Sequence, residues 1–365
     1  MLMGNVEQTE VQHMQERIYH LEKENRYLKD LLDRAGISYE QTPTENQTQE
    51  DTFDSNQGAR IQHAEITDEL ANRFFSRFWG RQDVYSKRYV KKGTGEAGYY
   101  PQCNHFWSEK CPRKTGKKIK CRDCSSQSWK KLDIAVLKKH LEGKAADASD
   151  VIGIYPLLPN DTCRFLVFDF DNHEKDTDKE NTRNADEKWR EEVEALREIC
   201  RLNGIDALTE RSRSGRGAHV WIFFQNAVDA SLARKFGFAL LEKGAESVNL
   251  KSFEYYDRML PAQDHIPDGG KSGRPGLGNL IALPLQGQAL KEGNSAFIDE
   301  NWNAYQDQWS ELFRRQRLSK EFMETCIKNW QPVNPFEETV ENQCELPEKS
   351  DAQCRHDRMK NRRKP

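Results

Sequence analysis

The alternation of apolar and polar residues predicts a series of strands and helices from about residue 151 onward. Runs rich in β-branched and aromatic residues indicate strands, and apolar residues at helical spacing indicate helices. The predicted strands are CRFLVFDFD (163–171), DALTERS (206–212), HVWIFF (219–224), SFEYYD (252–257) and NLIALPLQ (279–286). The predicted helices are ADEKWREEVEALREICRLNG (185–204) and DASLARKFGFALLEKG (229–244).

The order strand, helix, two strands, helix, strand is ferredoxin-like, so the fold class is predicted to be α+β. In this arrangement an antiparallel sheet carries both helices on one face, and the first strand is central. We expect the other face of the sheet to be open, which makes it the place where chemistry can occur.

Near the N-terminus, the spacing of the apolar residues is that of a coiled coil. Between Met14 and Ala35, positions step alternately by four and three, with one polar residue at the centre, which is the spacing of a coiled-coil seam. Residues 1–36 are therefore predicted to form a helical arm, which either self-associates or docks a partner, or folds back on its own domain. Aromatic residues at helical spacing predict a further helix over residues 66–92.

These patterns divide the chain into five predicted parts. Residues 37–60 have almost no apolar content, and the last residues are strongly basic, so both segments are expected to be disordered. The parts are a helical arm (1–36), a disordered linker (37–60), an N-terminal α/β module (61–150), a domain with the ferredoxin-like series (151–335) and a basic tail (336–365).

Composition narrows the class of protein. Hydrophobic residues make up 36% of the chain and the mean hydropathy is −0.93, so part of the chain is expected to lie outside any core. Nothing resembles a signal peptide or a run of about 18 apolar residues that could span a membrane. We therefore expect a cytoplasmic protein without a membrane partner. Its nine cysteines are then thiols or metal ligands rather than a disulfide framework.

Four of the cysteines lie close together in the sequence. Cys103 and Cys111 are followed by the C-x2-C pair Cys121 and Cys124, a spacing that can complete a four-sulfur tetrahedron for a structural Zn²⁺. His105 could replace one of the cysteines. Lysines and arginines lie between the two halves and tryptophans flank them, which favours a surface that follows a nucleic-acid backbone.

An aspartate pair at the end of the first predicted strand is the first candidate for catalysis. Asp169 and Asp171 are two positions apart in FLVFDFDNH, so strand geometry places both carboxylates on one face. Two carboxylates this close repel each other unless a cation lies between them. The pair therefore predicts a site for divalent cations.

The segment ERSRSGRGAHVWIFF supplies the second candidate group. Its glycines, including Gly215, permit a tight turn between two strands, and serine hydroxyls and backbone amides there can form an anion-binding concavity. Cationic side chains and a histidine beside such a turn are suited to a triphosphate. The predicted nucleotide-binding residues are Arg211, Ser212, Arg213, Ser214, Gly215, Arg216 and His219.

A third carboxylate is expected because two divalent cations in one site need their repulsion offset. The sequence offers Glu254, Asp257 and Asp264. Asp257 is preferred because it ends an extended segment from which it could reach the same face as Asp169. Asp264 is the alternative.

Four segments together resemble the archaeo-eukaryotic primase superfamily. In chain order they are the cysteine cluster, YPLLPNDTCRFLVFDFDNH, RSRSGRGAHVWIFF and YDRMLPAQD…GLGNLIALPLQG. The similarity covers roughly residues 66–310 and is strongest to the primase-polymerases of TOTE conflict systems and CRISPR loci. It implies an RRM-like catalytic palm with Asp169 and Asp171 as metal ligands. It also implies that Ser214 and His219 contact the phosphates of the nucleotide, and it matches the third acidic motif to Asp257.

The resemblance further implies a function. We expect a DNA primase-polymerase that uses two Mg²⁺ or Mn²⁺ ions and a structural Zn²⁺, extends primers and initiates on single-stranded DNA. Its partners would be template, primer and dNTPs or NTPs, with a helicase or CRISPR adaptation proteins as further candidates. The alternatives are a metal-dependent nuclease and a non-catalytic protein that binds single strands.

Overall fold

The computed structural model describes residues 61–172, 179–247, 253–267 and 276–330. The predicted helical arm, linker and basic tail lie outside the described residues. Among the residues that are described, no helix is both long and apolar enough to cross a membrane.

The first part of the described chain forms a small sheet with two helices. Its elements are α1 (Asp68–Arg77), β1 (Ser86–Val90), β2 (Ala97–Pro101), α2 (Ile134–Glu142) and β3 (Ile152–Ile154). Between β2 and α2, the cysteine segment contains two short 3₁₀ turns, Pro112–Thr115 and Cys121–Asp123.

The prediction of one helix over residues 66–92 is wrong beyond Arg77. Helix α1 begins at a capping residue, Thr67, whose hydroxyl accepts the backbone N–H of Leu70 at 3.1 Å. Soon after its end, Gly80 lies so close to the backbone of Tyr155 that a Cβ there would come within 2.6 Å of the carbonyl oxygen. The chain then continues into β1, so only the first part of residues 66–92 is helical, as the spacing of its aromatic residues predicted.

The second part contains the ferredoxin-like series and the elements that follow it. They are β4 (Thr162–Asp171), α3 (Lys179–Leu202), β5 (Leu208–Arg211), β6 (Gly217–Asp229), α4 (Ala230–Ser247), β7 (Tyr256–Leu260), β8 (Ile281–Ala282), α5 (Gly287–Lys291), β9 (Ala296–Phe297), α6 (Gln308–Arg314) and α7 (Lys320–Trp330).

Two antiparallel sheets organise these elements. The larger sheet has the strand order β7-β4-β6-β5-β9, and its first four strands have the arrangement of a ferredoxin-like βαββαβ unit with β4 in the interior. The predicted order of strands and helices is therefore confirmed. The smaller sheet has the order β2-β1-β3-β8, so the segment predicted as a last extended stretch contributes its strand β8 to this other sheet.

Side chains on β4 alternate between two cores. Leu166 and Phe168 pack with helices α3 and α4 in one core, whereas Phe165 and Val167 pack in a second core with α1 and the smaller sheet. The expectation that the second face of the sheet is open is therefore wrong over this stretch. Burial of each such side chain contributes about 1.5–3 kcal/mol, and the apolar cover ends where β4 reaches Asp169.

Candidate active site

Four polar residues form a row across the larger sheet. The register of β4 sets Asp169 opposite His219 on β6 and opposite Arg258 on β7, and His219 is in turn opposite Glu210 on β5. Directly opposed residues of antiparallel strands share a face of the sheet. We call Arg258, Asp169, His219 and Glu210 the polar row, and it lies on the face opposite α3 and α4.

Glu210 is the buried end of the polar row. It is 1% exposed, and its carboxylate contacts His219 Nδ1 at 2.9 Å, Trp221 Nε1 at 2.9 Å and Ser295 Oγ at 3.3 Å. Because Trp221 and Ser295 donate hydrogen bonds to Glu210, the carboxylate is fixed in place. It therefore orients the imidazole of His219.

The other ring nitrogen of His219 faces the aspartate. His219 Nε2 lies 3.4 Å from Asp169 Oδ1. Burial of the ring acts to lower the pKa of His219, but the carboxylates of Glu210 and Asp169 outweigh that effect and raise the pKa to about 10. The residue is therefore an imidazolium at neutral pH, a cation with both N–H groups directed at oxygen atoms.

Asp171 lies two residues beyond Asp169 on the same strand face, at the end of β4. It pairs with Gly217, and its backbone N–H donates to the Tyr255 carbonyl at 3.0 Å. A Cβ at Gly217 would lie 2.1 Å from the carbonyl oxygen of Phe170, so only glycine fits where β6 meets the end of β4.

A bulge brings Asp257 to the polar row. Asp169 pairs with Arg258 and the next residue, Phe170, pairs with Tyr256, which makes Asp257 the extra residue. The Asp257 carboxylate lies 2.7 Å from Arg258 Nη2, and Arg258 Nε lies 3.6 Å from Asp169 Oδ2. The guanidinium of Arg258 thus connects the two carboxylates.

The start of β7 is held by a carboxylate from helix α3. Glu192 is buried and accepts the backbone N–H groups of Tyr255 at 3.0 Å and Tyr256 at 3.1 Å. Burial raises the pKa of Glu192, even though the backbone hydrogen bonds act to lower it. This contact fixes the strand segment that presents Asp257.

Asp264, the alternative third carboxylate, has a different environment. It lies 2.5 Å from Arg234 Nη1, on helix α4, and is not in contact with the polar row. Of the two candidates, the geometry favours Asp257.

The glycine-rich turn between β5 and β6 is closed by its own hydrogen bonds. Ser212 N–H donates to Gly217 O at 2.9 Å, and Gly215, with φ +74°, donates its N–H to Ser212 O at 3.0 Å. The Ser212 and Ser214 hydroxyls are 3.1 Å apart. The N–H of Gly215 therefore stabilises the turn, and the serine hydroxyls are the polar groups that lie together at its tip.

The three arginines of this turn have separate environments. Arg211 donates to the carbonyls of Gly293, at 2.9 Å, and of Trp302, which does not favour its predicted role with a nucleotide. The Arg213 guanidinium lies near the Tyr99 side chain of β2, where burial raises the pKa of the Tyr99 hydroxyl and the charge of Arg213 acts to lower it. Arg216 is exposed on the turn.

Sequence reasoning missed Glu210, Arg258 and Glu192. Glu210 did carry a signal, since it is an acidic residue two positions from Leu208 in a strand that was otherwise expected to be buried. Arg258 immediately follows the preferred aspartate, but its position on the same face depends on the bulge. Nothing in the helical pattern of α3 marked Glu192 apart from other glutamates.

The four cysteines of the predicted knuckle line one cavity of about 30 Å³ together with His105. Cys103 Sγ accepts backbone N–H groups from His105 and Ser128, each at 3.4 Å. His105 Nδ1 lies 2.7 Å from the Ser126 carbonyl, so that nitrogen is not directed at the cysteines. Burial raises the pKa of the Cys121 thiol.

Across the residues that the structure describes, no three His, Cys, Asp or Glu side chains stand in an arrangement that would hold a metal ion. The donor types nevertheless fit. Carboxylates are the ligands of Mg²⁺ and Mn²⁺, and thiolates are those of Zn²⁺.

Comparison with known proteins gives one family. A family model described as the archaeo-eukaryotic primase domain of TOTE conflict systems matches residues 69–326. No curated protein matches the chain. Among solved structures, the chain is similar to the polymerase domain of Mycobacterium tuberculosis ligase D in complex with DNA, with 14% identity, a TM-score of 0.33, and coverage of 72% of this chain and 86% of that one.

Proposed function

The chain belongs to the archaeo-eukaryotic primase domain family of TOTE conflict systems, and from this premise we propose that it catalyses template-directed nucleotidyl transfer. One observation carries the proposal. Asp169 and Asp171 lie two positions apart on the same face of β4, and Asp169 is 3.4 Å from the buried His219.

In this mechanism Asp169, Asp171 and Asp257 would hold two divalent cations, Mg²⁺ or Mn²⁺. Bound there, the ions would activate a primer 3′-hydroxyl and offset the charge on the leaving pyrophosphate. The contribution of the chain is to fix the three carboxylates on strands rather than on loops. Arg258 contacts both Asp169 and Asp257, so its guanidinium would compete with a cation for these carboxylates.

His219 is proposed to bind the triphosphate. Its ring is oriented by Glu210, so Nε2 can donate a hydrogen bond to a negatively charged phosphate oxygen. Ser214 and Arg216, on the adjoining turn, are the next groups that an incoming triphosphate would contact. These contacts hold the nucleotide in line with the attacking hydroxyl.

Further parts of the proposal rest on the sequence and the family resemblance. Cys103, Cys111, Cys121 and Cys124 are proposed to bind a structural Zn²⁺, and the shared cavity supports this. Initiation on single-stranded DNA, the use of dNTPs or NTPs, self-association through residues 1–36, and a helicase or CRISPR adaptation proteins as partners stay predictions.

The test compares the wild type with the double variant Asp169→Ala/Asp171→Ala. Reactions contain labelled primer and template, or single-stranded DNA without primer, with dNTPs or NTPs and Mn²⁺ or Mg²⁺. We expect loss of at least about 10³-fold in incorporation, with DNA binding retained. A second double variant, Glu242→Ala/Glu324→Ala, removes two exposed acids and should retain full activity.

The same reactions distinguish the rival functions. Synthesis by the Asp169→Ala/Asp171→Ala variant would overturn the proposal. Shortening of labelled DNA without nucleotides would indicate a nuclease, and binding without any product would indicate a non-catalytic single-strand binder.

A further inference from the structure

Four aromatic side chains follow one another from β1 across β2 to the cysteine segment. The ring centroids of Tyr89 and Tyr100 are 5.7 Å apart, those of Tyr100 and Phe106 are 4.9 Å apart with nearly parallel planes, and those of Phe106 and Trp107 are 5.7 Å apart. Tyr89 and Phe106 are each 37% exposed and Trp107 is 58% exposed. Exposed aromatic residues that are contiguous, rather than scattered, mark binding surfaces.

A groove of about 660 Å³ lies beside these rings. Aromatic and cationic side chains line it together: Tyr89, Tyr99, Tyr100, Phe106, Lys91, Arg113 and Lys120. We call this the aromatic groove. It lies along β2, which is the edge strand of the smaller sheet.

The charge of this region is opposite to that of the whole chain. Residues 86–131 contain thirteen lysines and arginines but only three acidic residues, Glu96, Glu109 and Asp123, whereas the complete chain has a net charge of −3. Such segregation of positive charge beside a groove favours a polyanionic partner.

The backbone at Trp107 supports a binding role. Trp107 has a φ of +57°, a left-handed conformation that is unfavourable for a bulky residue by about 1–3 kcal/mol. With 58% of its surface exposed, Trp107 gains little from packing. A tryptophan at this position is therefore better explained by contact with a ligand than by stability of the fold.

At Tyr99 the aromatic groove comes near the glycine-rich turn of the candidate active site. Tyr99 lines the groove, and the Arg213 guanidinium of the glycine-rich turn lies near the Tyr99 side chain. A strand that lies in the groove can therefore pass from the cysteine segment, around the edge of β2, to the turn that precedes His219.

We propose that the aromatic groove binds an unpaired nucleic-acid strand. Bases stack on the exposed rings of Phe106, which lines the groove, and of Trp107, which adjoins Phe106, and phosphates contact Lys91, Arg113 and Lys120. Alternating stacking and cationic groups are the arrangement that binds single strands without regard to sequence. That this strand is the template rests on the proposed function, but binding to the groove does not.

The test measures the anisotropy of a fluorescein-labelled oligothymidylate of about 20 nucleotides without nucleotides or divalent ions. Phe106→Ala and Trp107→Gly are each expected to raise Kd by about tenfold or more, because one stacked base is worth about 1–3 kcal/mol. Phe238→Ala, which removes another exposed aromatic ring, 49% exposed on α4, should leave Kd unchanged. Lys120→Ala should reduce the salt dependence of Kd by about one phosphate contact.

Trp107→Gly separates binding from folding. Because glycine accepts the left-handed backbone, this variant should unfold at the same temperature as the wild type or a higher one while losing affinity. Trp107→Phe, which retains an aromatic face, should retain most of the affinity.

Unchanged affinity in both Phe106→Ala and Trp107→Gly would overturn the proposal. Competition by duplex DNA or by polyglutamate as effective as that by single-stranded DNA would also overturn it, because stacking requires unpaired bases. If nucleotidyl transfer is absent from the wild type while this binding is observed, only the proposed function fails.

Discussion

Two buried histidines lie in different regions of the molecule and have opposite protonation. His219, in the polar row, contacts the carboxylates of Glu210 and Asp169, and its pKa is raised to about 10. His140, in the core beside the smaller sheet, is fully buried, and that burial lowers its pKa to about 4.

The difference lies in their partners. His140 accepts the Ile152 N–H at Nδ1, 3.3 Å away, and donates from Nε2 to the Pro284 carbonyl at 3.1 Å. The Pro284 carbonyl and the nearby carboxylate of Asp150 act to raise the pKa of His140, but desolvation outweighs them. Burial alone therefore does not identify a functional histidine, whereas burial among carboxylates at the edge of a core does.

The largest expected effect is that of replacing Asp257, the carboxylate that Arg258 connects to Asp169 in the polar row. Asp257→Asn should lower kcat/KM for nucleotide incorporation by about 10²–10³-fold, because it removes a proposed cation ligand. Asp264→Asn, which disrupts only the pair with Arg234, should lower kcat/KM by less than about threefold. Primer-extension kinetics measure both variants, and a larger loss for Asp264→Asn would reassign the third carboxylate.

His219→Ala is expected to have the next largest effect. Loss of a charge-assisted donor to the triphosphate should lower kcat/KM by about 10²-fold. His265→Ala is the matched control, because His265 is 80% exposed and pairs with Asp161 away from the polar row. Equal activities of the two variants in the incorporation assay would remove His219 from the site.

For His140 the expected effect is on stability. Its folded pKa lies below its unfolded value of about 6.5, so between those two values the unfolded state binds more protons and stability falls as pH falls. From pH 6.5 to pH 5 this residue should reduce the free energy of unfolding by roughly 1.5 kcal/mol. Urea unfolding of the wild type and of His140→Gln at both pH values isolates this contribution, and the same pH dependence in both proteins would contradict it.

The smallest effect is expected for Glu210→Gln. The amide keeps the shape of the carboxylate but cannot accept from His219, Trp221 and Ser295 in the same way, so the imidazole is less firmly oriented. We expect kcat/KM for incorporation to fall about fivefold to tenfold, a change of roughly 1–1.4 kcal/mol. Wild-type kinetics in this variant would show that Glu210 has no role in positioning His219.

Strand periodicity in the sequence predicted much of the larger sheet. The apolar run before Asp169 and the two helical patterns were sufficient for the order of elements, because each buries one face against the same core. Asp169 lies near the end of β4 and His219 near the start of β6, directly after the glycine-rich turn, so the antiparallel pairing of these two strands places them opposite each other.

Other features depend on contacts between distant segments, which a local pattern does not contain. The bulge at Asp257 depends on how β7 pairs with β4, and the environment of Arg211 depends on loops about 80 to 90 residues away. The cover over Phe165 and Val167 is formed by a separate sheet. For this reason the sequence indicated which residues belong to the candidate site better than it indicated which residues contact them.

The two-residue strand β8 has a consequence for the order of events during synthesis. It pairs with β3, from which it is separated by more than a hundred residues of chain, and completes the smaller sheet. Until Ile281 has been synthesised, one edge of β3 is unpaired and the second core lacks the side chains of β8. We expect the smaller sheet to stay incompletely packed until the strands of the larger sheet have been synthesised, so that both sheets complete their folding nearly together.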